Sequence, residues 1–192
     1  MTDQRYKKYL LYILKLTVLA ALLCCSSALA VDRDELRLKA GLDLFPSLLA
    51  ADLDIAEKKS GEGFLTLLLV YTDNRAGANE IAKSLKALKE IRGIPVNVEI
   101  TNNLSADHLK GFAPAGVFLA QPLGDQLSGV IDFAVKNKVI LFSPFKGDVE
   151  KGVLGGLHIS DRLLPFINVS SMKSSGIRIK KFFMRVSITY EK

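Results

Sequence analysis

The chain has 192 residues, a net charge of +6 at neutral pH and only two cysteines, Cys24 and Cys25. Both cysteines lie in the first 30 residues, which also hold four of the 26 basic residues and one of the 20 acidic residues, so residues 31–192 carry a net charge of only +3 and no thiol. This composition excludes a disulfide framework, a cysteine nucleophile and a cysteine metal site from residues 31–192, and the weak positive charge argues against a nucleic-acid partner.

The first 30 residues have the pattern of a signal peptide. A basic start, Arg5–Lys8, precedes the uncharged apolar run Leu16–Cys25 and small residues that end at Ala30. A membrane anchor is the alternative, but the apolar run is about half of the roughly 20 residues that span a bilayer. We therefore expect cleavage near Ala30, export to the periplasm, and one domain formed by residues 31–192.

The exported part begins with helix and then strand. Apolar residues at near-helical spacing predict one or two helices between Asp34 and Lys58, with a kink or break near Phe45 because Pro46 lies inside the pattern. The nearly continuous apolar run Phe64–Tyr71 predicts a central strand that is covered on both faces.

The alternation of helix and strand continues to residue 142. The pattern predicts, in order, a helix at 78–88, a strand at 96–100, a short helix capped by Ser105, a strand at 117–119, a helix at 123–135 and a strand at 139–142. After Pro144, the apolar runs 157–159 and 163–169 predict a hairpin, while residues 177–188 fit either a helix or a strand. The predicted fold is a single α/β domain with a mostly parallel central sheet flanked by helices and closed by a C-terminal hairpin.

The sequence has few groups that could catalyse a reaction. His108 and His158 are its only imidazoles, and it has no Gly-x-Ser-x-Gly motif and no spacing of ligands typical of a zinc or calcium site. We predict that the chain is not an enzyme and has no catalytic residues, no metal and no cofactor.

Polar residues follow the predicted strands at one edge of the sheet, where ligands bind in open parallel sheets. The candidate partner- or ligand-binding residues are Asp73, Asn74, Gln121, Ser143, Phe145 and Lys146. The alternative is that the polar ones are capping and turn residues, because Asp, Asn and Ser favour such positions. Phe145 could be a buried lid on the sheet edge or an exposed anchor for a partner. If it is an exposed anchor, Phe145→Asp should weaken partner binding without unfolding the domain.

Four segments of the C-terminal third follow one another in a recognisable order: Val139–Ser143, Gly155–Ile159, Leu164–Val169 and Ser175–Ile179. They resemble the YfiR-like family, in which a Gly-Gly-apolar strand pairs with a Phe-x-Ile-Asn strand ahead of a short helix. The residues themselves indicate that Asn168 caps that helix and that the following glycine, residue 176, allows a turn with positive φ.

The resemblance implies a periplasmic regulator that binds and inhibits an inner-membrane signalling protein such as a diguanylate cyclase of cyclic di-GMP signalling. A single-lobe solute-binding protein associated with an ABC transporter is the alternative, because such proteins also place α/β lobes in the periplasm. The predicted partner of the regulator is an inner-membrane receptor protein, and a homodimer remains open.

Overall fold

The computed structural model describes Lys15 and residues 34–191. The chain divides into two compact units, Met1–Leu36 and Arg37–Lys192. The predicted signal peptide, apart from Lys15, lies outside the described residues, so its cleavage stays a prediction. Within the described part, no helix is both long and apolar enough to cross a membrane.

The second unit alternates helices with strands, as the sequence predicts. Its helices and 3₁₀ turns are α1 (residues 37–51), η1 (Ile55–Lys58), α2 (Arg75–Lys86), α3 (Ala106–Gly111), η2 (Gly124–Gln126), α4 (Leu127–Lys136), α5 (Asp148–Lys151), α6 (Val169–Ser175) and α7 (Lys181–Val186). Its strands are β1 (Leu65–Val70), β2 (Glu90–Ile91), β3 (Ile94–Thr101), β4 (Gly116–Leu119), β5 (Ile140–Ser143), β6 (Gly155–Ile159), β7 (Leu163–Asn168) and β8 (Ile188–Tyr190).

The strands form one sheet in the order β2-β3-β1-β4-β5-β6-β7-β8. The β2–β3 and β6–β7 pairs are antiparallel, and the other pairs are parallel. The predicted mostly parallel α/β fold is therefore confirmed.

Strand β1 is buried along its whole length and divides the core into two layers. Leu67 and Leu69 point into one apolar cluster, and Leu68 and Val70 point into the other. Helices α1 and α2 cover the first face, and α3 and α4 cover the second. An apolar run without alternation is what a strand covered on both faces requires, so the prediction for this segment is confirmed.

Of the predicted kink or break near Phe45, the break is wrong, because residues 37–51 are helical throughout. The kink stays a prediction. Phe45, Leu48 and Leu49 are at most 1% exposed, and the Phe45 ring lies 5.5 Å from the ring of Phe118. Pro46 removes one backbone hydrogen-bond donor. Apolar packing on both sides of the proline holds the helix in spite of that loss.

The hairpin and the end of the chain complete the sheet. Strands β6 and β7 form the predicted hairpin, and β8 then adds a parallel edge strand beside β7. Asn168 caps α6 by accepting a hydrogen bond from the amide of Ser171 at 2.9 Å, and Gly176 has a φ of 68°, as predicted. The segment 177–188, for which helix and strand were both open, contains α7 and leads into β8.

Glycine at position 155 lets α1 approach the sheet closely, and its replacement tests that packing. A Cβ atom there would lie 2.4 Å from Leu48 Cδ2, so we expect Gly155→Ala to lower the free energy of unfolding by about 1–3 kcal/mol. Gly129→Ala is the control, because Gly129 lies in α4 with nothing within 4 Å, and this change should add about 0.5–1 kcal/mol. Urea denaturation measures both, and equal effects would contradict the packing.

Candidate functional site

The carboxyl ends of β1 and β4 meet where the order of the sheet reverses. The chain leaves β1 for β3 on one side and then returns to β4 on the other side of β1. In open α/β sheets, ligands bind in the crevice at such a switch point. The loop Tyr71–Asn74 and residue Gln121 lie at this crevice.

The side chain of Gln121 closes the crevice. Its Oε1 atom accepts hydrogen bonds from three successive backbone amides, those of Thr72, Asp73 and Asn74, at 3.0, 3.2 and 3.1 Å. Its Nε2 atom donates to Asp73 Oδ1 at 2.6 Å. Three of the predicted site residues, Asp73, Asn74 and Gln121, are thus brought together in one network.

The network also orders the start of α2. Asn74 is the N-cap and accepts a hydrogen bond from the amide of Gly77 at 2.8 Å. The hydrogen bond from Gln121, helped by one from Thr72, lowers the pKa of the Asp73 carboxyl below its ordinary value. The contacts of Asp73, Asn74 and Gln121 are therefore those of capping and turn residues, which was the alternative interpretation.

Converging backbone amides at a helix N-terminus can bind an anion. Here the neutral amide oxygen of Gln121 occupies the acceptor position, so an anion would have to displace that side chain and break its hydrogen bonds. The geometry does not favour a small-molecule site at this switch point.

The other predicted site residues follow β5 and are engaged within the fold. Ser143 is fully buried, and its hydroxyl donates to Asp148 Oδ2 at 2.6 Å and accepts from the amide of Phe145 at 3.1 Å. Phe145 is 9% exposed and belongs to the core cluster of the second face, so the interpretation of Phe145 as an exposed anchor is wrong. Apolar packing covers its ring, and only Lys146 of this group is exposed.

A cavity of about 500 Å³ lies at the other end of the strands from the switch point, next to the amino ends of β4 and β5. We call it the basal cavity, and its lining includes Lys58, Lys59, Lys110, Phe133, Lys138 and Ile177. The cavity is not apparent in the sequence, because its lining comes from four separate parts of the chain. The adjacent lysines at 58 and 59 are the only local pattern that could have indicated it.

Two ion pairs form one wall of the basal cavity. The buried carboxylate of Asp52 lies 2.7 Å from Lys58 Nζ, and Asp54 accepts hydrogen bonds from Arg178, one of them at 2.9 Å from Nε. The bond from Arg178 lowers the pKa of Asp54 below its ordinary value. Backbone hydrogen bonds from Leu53 to Arg178 and from Lys180 to Ala51 tie the end of α1 to the C-terminal segment.

The two histidines have structural contacts. His108 Nε2 lies 3.1 Å from Thr101 Oγ1, which also accepts a hydrogen bond from the amide of Asn103. The His158 ring lies 5.8 Å from the Phe166 ring. Among the residues that the structure describes, no group of three His, Cys, Asp or Glu side chains could hold a metal ion.

No protein-family model and no curated protein matches the sequence. Solved structures similar to this chain include an ABC domain in complex with L-Trp from Streptococcus pneumonia, with a TM-score of 0.47, 12% identity, and coverage of 74% of this chain and 60% of that chain. A conserved domain protein from Vibrio cholerae has a TM-score of 0.48, 14% identity, and coverage of 71% and 57%. The ligand-free, open form of a substrate-binding protein with adhesive properties from Clostridium difficile has a TM-score of 0.49, 13% identity, and coverage of 73% and 60%. The chain thus spans less than two thirds of the length of these proteins.

Replacing Gln121 tests the closed crevice. We expect Gln121→Ala to raise the pKa of Asp73 toward its ordinary value, because the largest cause of the lowered pKa is removed. It should also lower the free energy of unfolding by about 1 kcal/mol at pH 7, since three amides lose their acceptor. NMR titration of the Asp73 carboxyl carbon and urea denaturation measure the two effects.

The pH dependence gives a second check on Gln121. A carboxyl whose pKa is lowered by folding stabilises the fold above its unfolded pKa, and that contribution is lost as the pH falls through the folded pKa. The stability difference between wild type and Gln121→Ala should therefore shrink in acid but not vanish, because the amide bonds to Oε1 do not titrate. A pKa of Asp73 that is the same in both proteins would contradict the network.

Proposed function

We propose that this chain is a non-catalytic periplasmic binding protein that regulates, by inhibition, an inner-membrane signalling protein such as a diguanylate cyclase. The resemblance of residues 139–179 to the YfiR-like family suggests this class of partner. One structural observation carries the proposal: an uncovered apolar strip on the C-terminal hairpin.

The strip lies on one face of β6, β7 and β8. The strand register also places Asn168 on this face, but Asn168 is buried. The other five side chains form what we call the hairpin strip: His158, Leu164, Phe166, Ile188 and Tyr190. The Phe166 ring lies 5.8 Å from the ring of His158 and 6.4 Å from that of Tyr190, so the aromatic groups are continuous. All five residues are half-buried or exposed.

The two faces of the hairpin differ in burial next to the core but not at its tip, where Ile159 and Leu163 on the opposite face are 37% and 44% exposed. On the opposite face, Leu157 and Ile167 belong to the main core cluster and are at most 6% exposed. On the strip face, Ile188 remains 38% exposed at the edge of the sheet. Contiguous exposed aromatic and apolar side chains are typical of protein–protein interfaces, in which a few such residues supply most of the binding energy.

Inhibition by such a surface requires only a difference in affinity for two receptor conformations. Moving a receptor from 1:99 to 99:1 in favour of its inactive form requires binding that form about 10⁴-fold more tightly, or about 5.5 kcal/mol. Two or three buried interface residues at about 2 kcal/mol or more each are sufficient for this.

A single-lobe solute-binding protein is the second candidate, and the basal cavity is the observation that favours it. Ligand cavities commonly have volumes of about 300–1,000 Å³, and this one has about 500 Å³. The switch-point crevice does not favour a solute-binding function, because the side chain of Gln121 closes it.

The regulator hypothesis is tested by capture from an inner-membrane extract. The protein purified from the periplasm should retain an integral membrane protein with a cytoplasmic cyclase domain, identified by mass spectrometry. We expect Ile188→Asp to weaken this capture at least about tenfold, or about 1.4 kcal/mol, because a charge would be buried at the interface.

Phe182→Asp is the matched control, because Phe182 is a 56% exposed aromatic residue on α7, outside the hairpin strip. Phe182→Asp should have the same melting temperature as Ile188→Asp and should still capture the receptor. Retained capture by Ile188→Asp, or equal loss by both variants, would contradict docking at the hairpin strip, and recovery of no membrane protein by wild type would contradict the regulator hypothesis.

A further inference from the structure

We propose that the basal cavity binds a small organic anion that carries an apolar body. This proposal rests on the second candidate function, a solute-binding protein whose ligand occupies the basal cavity. It does not depend on docking at the hairpin strip.

The charge of the cavity favours an anion. Its lining contains four lysines against three acidic residues, and two of the acids already have basic partners, Lys58 for Asp52 and Arg178 for Asp54. The remaining lysines are at positions 59, 110 and 138, and their side chains make no hydrogen bond or ion pair with any residue that the structure describes. The charge of Lys138 also acts on Asp54, but the four lysines still outnumber the three acids, so a ligand meets a lining of net positive charge.

One lysine has unused donors in a desolvated position. Lys58 Nζ is buried and contacts Asp52 Oδ2, yet it makes no hydrogen bond to any other group in the described part of the chain. An ammonium group has three N–H donors, and buried donors without acceptors are costly. A ligand oxygen would supply an acceptor once the Lys58 side chain turns from its buried position toward the cavity.

The floor of the cavity is apolar. Phe133, Val139 and Ile177 line it and are each at most 5% exposed, and the buried Pro114 joins them. These side chains expose little area, so the apolar contact that the floor offers is small, but a fully polar anion such as phosphate would not use it. An anion with an aromatic or aliphatic body would cover the floor while its charged end faces the lysines.

Backbone strain concentrates around the same cavity. Ala113 and Lys138 line it with φ angles of 43° and 55°, and Arg92, with a φ of 53°, donates a hydrogen bond to the carbonyl of Asp52 at 3.2 Å. These are the three non-glycine residues with positive φ in the described part of the chain. Lys138 follows the C-cap of α4, a position where glycine is the usual residue, so the chain keeps a charged side chain there against the backbone preference.

The test uses three probes with one apolar body and different charges: 1-naphthylacetate, 2-(1-naphthyl)ethanol and 2-(1-naphthyl)ethylamine. Titration of the full, processed protein by calorimetry and by amide chemical shifts should show that the acetate binds at least about tenfold more tightly than the alcohol or the amine, with a dissociation constant of about 1 mM or lower. The shifts should map to Ala113, Lys138 and Ile177, and binding should weaken as salt is added.

Lys138→Asn is the informative variant, because asparagine tolerates positive φ and removes the charge. It should melt at or above the temperature of the wild type and bind the acetate at least about fivefold more weakly, and Lys136→Asn, which removes an exposed lysine outside the lining, should bind like wild type. Equal binding of the three probes, no binding of the acetate, or equal loss in both variants would overturn the proposal. Receptor capture through the hairpin strip would be unaffected by any of these results.

Discussion

The burial of β1 on both faces is the constraint on which the rest of the structure depends. Its side chains alternate between two apolar clusters, so a helical layer is required on each side of the sheet. The chain meets this requirement by running from β1 to β3 along one face and returning to β4 along the other. The reversal places the loop after β1 beside Gln121, and it brings the amino ends of β4 and β5 to the opposite edge, where the basal cavity lies.

Because Gln121 closes the switch-point crevice, the surfaces open to a ligand or partner lie away from the carboxyl ends of β1 and β4, where ligands bind in most open α/β sheets. The three amides at the start of α2 have a resident acceptor in Gln121, and the polar groups after β5 are bonded to one another in the core. What the fold leaves unfilled is the hairpin strip, with its continuous aromatic groups, and the basal cavity, with its lysines above an apolar floor. We propose the first as a protein interface and the second as a small-molecule site, and under that proposal a regulator that also senses a ligand would need no further element.

Features that depend on neighbours in sequence were predictable, and features that depend on distant contacts were not. The apolar run of β1, the hairpin and the cap at Asn168 follow from local pattern and were predicted correctly. The continuity of α1 through Pro46 depends on packing against Phe118, and the burial of Phe145 depends on the cluster around α4, neither of which local pattern contains. Asp73, Asn74 and Gln121 were expected at one end of the sheet because each follows a predicted parallel strand, but the role of Gln121 as acceptor for three amides requires the strand pairing of β1 with β4. The hairpin strip likewise requires the register of β8, a strand that the sequence left open.

Hydrogen–deuterium exchange of the processed protein, with and without inner-membrane vesicles from its own cells, tests the central claim most directly. If the chain acts by presenting the hairpin strip to a membrane receptor, amides of β7 and β8 will exchange more slowly in the presence of vesicles, while those of Thr72 to Asn74 will be unchanged. Protection confined to the amides beside Gln121, with none on β7 or β8, would place recognition at the switch point and contradict the account.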